Sequence, residues 1–103
     1  MGKSEMRTLE DVVSEIKRNE ETIKKKFKVK EIGVFGSVVR GEETEGSDID
    51  IIVEFENEGK NFDNYMELKF FLEELLGTSV DLVSKSVIKE RLKSKILEEV
   101  VYV

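Results

Sequence analysis

Apolar side chains along this chain recur at two different periods, and the switches between them divide it into elements. From Thr8 to Phe27 the apolar positions Leu9, Val12, Val13, Ile16, Ile23 and Phe27 keep helical spacing, with Thr8 placed to cap the first turn. This predicts one amphipathic helix with a Lys/Glu-rich outer face. Val29, Ile32, Val34 and Phe35 form a short β-branched run that stops at Gly36, and Ile49 to Phe55 is a second β-rich run. Both read as strands of one sheet. Between them, Gly36 to Ser47 turns polar and acidic after Arg40, with Gly41 and Gly46 as breakers, which predicts a loop with at most one helical turn. After a polar break from Asn57 to Asn61, the stretch Asp63 to Leu76 places Tyr65, Leu68, Phe71, Leu72 and Leu75 on one helical face and ends at Gly77, a C-cap. Ser79 to Val83 reads as a third strand, Val87 to Leu97 as a third helix and Val100 to Val103 as a short terminal strand.

The resulting order is α-β-β-α-β-α-(β). So few strands bury their apolar faces only when helices pack on them, so the expected class is α+β, an α/β two-layer arrangement with a small mixed sheet flanked by about three helices. At 103 residues with no Pro- or Gly-rich linker, the chain suits one hydrophobic core, and a single domain over 1–103 is expected.

Composition narrows the chemistry. No run approaches the roughly 18 apolar residues of a membrane helix, and the N-terminus lacks an apolar signal region. The chain has no cysteine, so neither disulfides nor thiolate metal sites are available, and a cytoplasmic location is expected. It also has no histidine, which removes the usual general base and the commonest zinc ligand. Catalysis must therefore run on carboxylates, hard metals and backbone. A net charge of −6 counts against broad adhesion to nucleic acid and favours a small charged substrate or a basic protein partner.

One constellation meets that requirement. Side chains two apart on a strand share a face, so Asp48 and Asp50 project together, their Cα atoms roughly 6.5–7 Å apart, while Ile49, Ile51 and Val53 face the core. Two carboxylates this close repel unless a cation compensates them, and Mg²⁺ is typically held by one or two carboxylates together with substrate phosphates. Asp81, between apolar Val80 and Leu82 in the third strand, reads as a buried third carboxylate if its strand neighbours that of Asp48 and Asp50. Gly36 ends the first strand, where its lack of a side chain lets backbone approach a phosphate, and Ser37 adds a hydroxyl and an N–H. A phosphate cradle beside metal-binding carboxylates suffices for phosphoryl or nucleotidyl transfer, which rests on positioning and charge stabilisation.

Gly36-Ser37, ten intervening residues and Asp48-Ile49-Asp50 resemble the signature of the polymerase-β-like nucleotidyltransferase superfamily. The string GVFGSVVRGEETEGSDIDIIVEF is similar to its minimal nucleotidyltransferase (MNT) branch; Arg40-Gly41, Ser47 and the VDLV around Asp81 also match, and the likeness runs from Thr8 to Tyr102. The resemblance implies a nucleotidyltransferase fold and Mg²⁺-dependent transfer of AMP from ATP to a protein hydroxyl, a tyrosine of a HEPN-domain toxin, by an antitoxin. It also implies site roles: Gly36, Ser37 and Ser47 with the nucleotide, Asp48, Asp50 and Asp81 as Mg²⁺ ligands, and Asp81 as ligand or base. Arg40 is expected to steady the loop or to reach a phosphate. The alternative is an inactive antitoxin that neutralises its toxin by binding alone.

Plainer readings apply elsewhere. The stretch Asp48 to Gly59 is no calcium loop, because Ile52 takes the third ligand position and Val53 stands where the turn needs glycine. Lys85, Lys89, Arg91, Lys93 and Lys95 read as a solvated basic face, with partner docking or ATP phosphate contact as the alternative. Phe62, Tyr65, Phe70 and Phe71 read as core and its rim, with an interface as the alternative because they exceed what one helix face can bury.

Overall fold

The computed structural model describes residues 8–42, 48–88 and 90–103, with backbone alone for residues 90–92. Its first element is not one helix but two. Helix α1 runs Leu9–Arg18 and α2 runs Glu20–Lys26, with Asn19 closing one and opening the other. The Asn19 side chain donates to the Glu15 carbonyl at 2.9 Å, and its backbone N–H turns back to Ile16 and Lys17. Asparagine competes in this way with regular helical bonding. The break leaves the buried face intact, since Val12, Ile16 and Ile23 are all fully buried. Thr8 caps α1 as expected, its hydroxyl accepting from the Asp11 N–H at 3.1 Å.

Strand β1 (Val29–Phe35), a four-residue helix α3 (Ser37–Arg40) and strand β2 (Ile49–Phe55) follow. Helix α4 (Phe62–Leu76) starts at Asn61, whose side chain accepts from the Asn64 N–H at 2.8 Å, and ends at Gly77 in the left-handed conformation, φ 71°. Strand β3 (Val80–Ser84), helix α5 (Glu90–Glu99) and strand β4 (Val101–Tyr102) complete the chain. Helix α5 lies two to three residues later than its apolar pattern predicted, and this shift brings Glu99 to the helix end. Among the described residues there are thus five α-helices rather than about three, because the first divides at Asn19 and the turn after β1 closes a full helical turn.

The sheet order is β3-β2-β1-β4, with β2 and β3 parallel and the other pairs antiparallel. A parallel pair needs a crossover, and α4 supplies it. Ile49, Ile51, Val53 and Phe55 of β2 point into the core with Ile32 and Val34 of β1, Val80 and Leu82 of β3, and Leu68, Leu72 and Leu76 of α4. Ile52, on the opposite face, is buried as well, so that face is not given over wholly to polar groups. Phe71 packs on Phe27 with ring centroids 5.2 Å apart, and the Tyr65 hydroxyl donates to the Leu82 carbonyl. Phe62 and Phe70 stay exposed. No helix among the described residues is long and apolar enough to cross a membrane.

Leu72 is fully buried where α4 meets the sheet. Leu72→Ala is expected to cost about 2–5 kcal/mol, read as a lower denaturant midpoint with an unchanged slope; a cost near zero would contradict this packing.

Candidate active site

The site is built where β1 ends. Gly36 has φ 77° and ψ −150°, a backbone region open in practice only to glycine. The chain then turns directly into α3, and the Val39 and Arg40 N–H groups both donate to the Gly36 carbonyl. The same glycine makes room for an acid: a Cβ built on Gly36 would lie 2.0 Å from the Asp50 Oδ2. The Asp50 carboxylate is therefore seated against the turn, and it accepts the Ser37 backbone N–H.

The three predicted aspartates share one end of the sheet. Asp50 is the second residue of β2, and Asp48 immediately precedes that strand. The parallel register sets Asp50 directly beside Asp81 of β3, so their side chains share a face. Asp48 and Asp81 are exposed and Asp50 is half-buried. Asp81 was expected to be buried between Val80 and Leu82. Those two do enter the core, but the period of two sends Asp81 to the opposite face, on the sheet's edge strand.

Electrostatics set Asp50 apart. Burial raises its pKa, and the charge of Asp81 raises it further; the Ser37 N–H and Arg40 pull it down, while Asp48 pushes it up. An acid whose ionised form is disfavoured by neighbouring carboxylates is one a hard cation would relieve. Among the described residues no three acidic side chains close into a ready-made ligand cage. An open arrangement is what mutual repulsion gives, and phosphate oxygens are the ligands that would complete it. Asp48, Asp50 and Asp81 thus fit Mg²⁺ by donor chemistry, with Asp50 at the centre.

Arg40 makes its side-chain hydrogen bonds to two glutamates, while its charge still acts on Asp50. Its Nε donates to Glu42 at 2.9 Å and its Nη1 to both oxygens of Glu99, at 3.1 and 3.0 Å. These bonds tie the loop after α3 to the end of α5. Glu99 also accepts the Gly36 N–H at 2.9 Å, so one carboxylate holds both ends of the turn. Reading the sequence missed Glu99: it lies 63 residues from Gly36 and no local motif marks it. Ser47, expected near the nucleotide, lies outside the described residues, as do Lys89 and the side chain of Arg91. Lys85, at the start of the basic region, pairs with Glu31 at 3.3 Å and lies over the Tyr102 ring.

An apolar cleft of about 400 Å³ lies elsewhere. Phe55, Phe62, Tyr65, Ser84 and Val87 line it at the far ends of β2 and β3, and none of the aspartates does.

Two outcomes follow from this geometry. Gly36→Ala is expected to destabilise the fold by roughly 1–3 kcal/mol, because the residue is strained and its Cβ must displace Asp50; equal stability in a denaturant titration would contradict the close approach. The raised Asp50 pKa means the folded chain holds a proton there more tightly than the unfolded chain. That contribution to stability is complete below the ordinary value of 3.8 and is lost as pH rises through the raised value. Without divalent cation, Asp50→Asn should therefore have the higher Tm at neutral pH, with the gap closing as pH falls below 3.8. A wild-type Tm equal to that of Asp50→Asn at neutral pH would refute it.

The family model described as "Nucleotidyltransferase domain" matches residues 16–103. The protein adenylyltransferase MntA of Thermococcus cleftensis is 48% identical over 98 residues, which is 95% of this chain and 98% of that protein. A solved structure of a candidate minimal nucleotidyltransferase superposes with a TM-score of 0.73 at 36% identity, covering 87% of this chain and 93% of its own. At 21% identity the fold alone is shared with a chain from the complex of a tri-AMPylated HEPN toxin of Shewanella oneidensis with its MNT antitoxin, TM-score 0.65, covering 88% of this chain and 70% of that one. With the family model spanning most of its length and the aspartates gathered at a glycine-serine turn, the chain belongs to the nucleotidyltransferase domain family.

Proposed function

We propose that this nucleotidyltransferase acts as an antitoxin that moves AMP from ATP to a tyrosine hydroxyl of a HEPN-type toxin, with Mg²⁺ bound by Asp48, Asp50 and Asp81, in the cytoplasm. The observation that carries the reading is the seat of Asp50: its carboxylate fills the space a Gly36 side chain would occupy and stands beside Asp81 in the parallel register. The adenylyltransferase named among the relatives matches over nearly the full length of both chains, which supports AMP as the group transferred. The AMPylated toxin in the S. oneidensis complex supports a protein hydroxyl as acceptor.

In this reading the acceptor oxygen attacks the α-phosphorus, a new P–O bond forms, and the bond from that phosphorus to the bridging oxygen of the β-phosphate breaks, releasing pyrophosphate. The acceptor proton passes to a carboxylate. Asp81, exposed on the edge strand, is the carboxylate this reading assigns to that proton. Bound Mg²⁺ supplies charge neutralisation for the triphosphate. Gly36 admits a phosphate to the backbone, and Ser37 offers it a hydroxyl. Asp48 and Asp50 hold the donor end, so the chain's own work is placement of two anions in one small space.

The test is to incubate the chain with ATP, Mg²⁺ and its co-purifying partner and weigh the partner. The gain of one or more adenylyl groups is expected, located on tyrosine by fragmentation, with a loss of roughly 10²-fold or more in rate for Asp48→Asn and for Asp50→Asn. Labelling that survives in both variants contradicts the mechanism. Toxin neutralisation by an Asp50→Asn chain that transfers nothing would instead support inhibition by binding alone.

A further inference from the structure

In an antiparallel ladder the N–H and C=O of one residue point to the same neighbour, and the direction alternates along the strand. Strand β1 has β2 on one side and β4 on the other. The Ile32 carbonyl accepts the Val103 N–H, so Ile32, Val34 and Gly36 direct their backbone groups toward the β4 edge. The β1–β4 register pairs Gly33 with Tyr102 and Val34 with Val101. Continued two residues further, it sets Gly36 opposite Glu99. A longer β4 would present a backbone carbonyl at that point, but Glu99 is the last residue of α5, and its carboxylate takes the Gly36 N–H instead.

The side-chain bond is thus a continuation of the sheet by other means. The same carboxylate takes two bonds from the Arg40 Nη1, so a single group ties the residue that opens α3 to the residue that closes it. It does this from the β4 side, while the Ser37 N–H faces Asp50 on the β2 side. Glu99 therefore reaches the turn from the side away from Asp50.

We propose that Glu99 is a positioning residue of the transferase, a clamp that acts through Gly36 and Arg40 to hold the Gly36-Ser37 turn in register with Asp50. The inference rests on the reading of that turn as the phosphate cradle. A turn held at both ends keeps Ser37 in the orientation the triphosphate needs before nucleotide arrives, and small displacements of positioning groups are costly to such sites. The clamp also makes the C-terminal segment part of the site: β4, two residues long, is anchored to β1 beside the glycine that seats the central aspartate.

The experiment measures two quantities on the full chain. Amide hydrogen exchange reports Gly36 directly, and calorimetry reports affinity for a non-hydrolysable ATP analogue with Mg²⁺. Glu99→Ala is expected to speed exchange at Gly36 and to weaken analogue binding by about tenfold or more. Glu99→Gln keeps an acceptor for the Gly36 N–H but not the charge on Arg40, so it should restore slow exchange at Gly36 while recovering binding only in part. Leu72→Ala, destabilised but remote from the turn, should bind the analogue as the wild type does and rules out a general loss of stability as the cause. Unchanged exchange at Gly36 in Glu99→Ala overturns the clamp, and so does tighter binding by that variant, which would make Glu99 a competitor of phosphate. A wild-type chain that fails to bind the analogue would count against the proposed function, whereas the exchange measurement decides on the clamp in either case.

Discussion

Glycine at position 36 is the constraint around which the site forms, because the volume that any other side chain would fill is taken by the carboxylate of Asp50. The backbone angles that permit this contact also turn the chain from β1 straight into α3, so one residue delivers both the close approach and the helical turn. Asp50 in turn accepts the Ser37 N–H, which fixes where the turn sits relative to β2. Strand pairing does the rest: Phe35 and Asp50 are register partners, as are Asp50 and Asp81. The acidic group is therefore placed by the sheet's own hydrogen bonding, with no dedicated scaffold.

This placement is electrostatically unfavourable when it stands alone. Burial and the neighbouring charges of Asp81 and Asp48 all disfavour the ionised form of Asp50, and Arg40, the cation that opposes them, is itself engaged by Glu42 and Glu99. A fold that tolerates such a group must draw its stability elsewhere. It does so from the other face of the sheet, where Ile49, Ile51 and Val53 join Leu68, Leu72 and Leu76 of α4 in one core, while Asp50, Ile52 and Glu54 of the same strand face the opposite way. Stability and chemistry are thus carried by the two faces of β2, separated by the strand's period of two.

What was legible beforehand follows the range of the interactions involved. The Gly36-Ser37 turn at the end of β1 and the core-facing isoleucines of β2 are consequences of local spacing, as is the position of Asp48 and Asp50 at one end of that strand. Asp81 was found by its position in a third strand, yet its exposure was misjudged, because apolar neighbours in sequence belong to the opposite face. The division of the first helix at Asn19 escaped the periodicity, since a single-residue interruption leaves Val12, Ile16 and Ile23 on one buried side. Glu99 was out of reach altogether. Its role comes from the pairing of β4 with β1, a contact between distant parts of the chain that no local motif encodes. The partners of Arg40 were hidden for the same reason, since its tether to Glu99 spans most of the chain.

The proposed function requires Asp48, Asp50 and Asp81 to hold a divalent cation against a triphosphate seated on the Gly36-Ser37 turn. A crystal grown with Mn²⁺ and a non-hydrolysable ATP analogue tests it most directly, through the anomalous scattering of the metal. The account predicts a manganese peak bounded by these three carboxylates, with analogue phosphate oxygens completing its shell beside Ser37. A peak lying away from Asp50, or a triphosphate bound in the apolar cleft at the other end of β2 and β3, would contradict it.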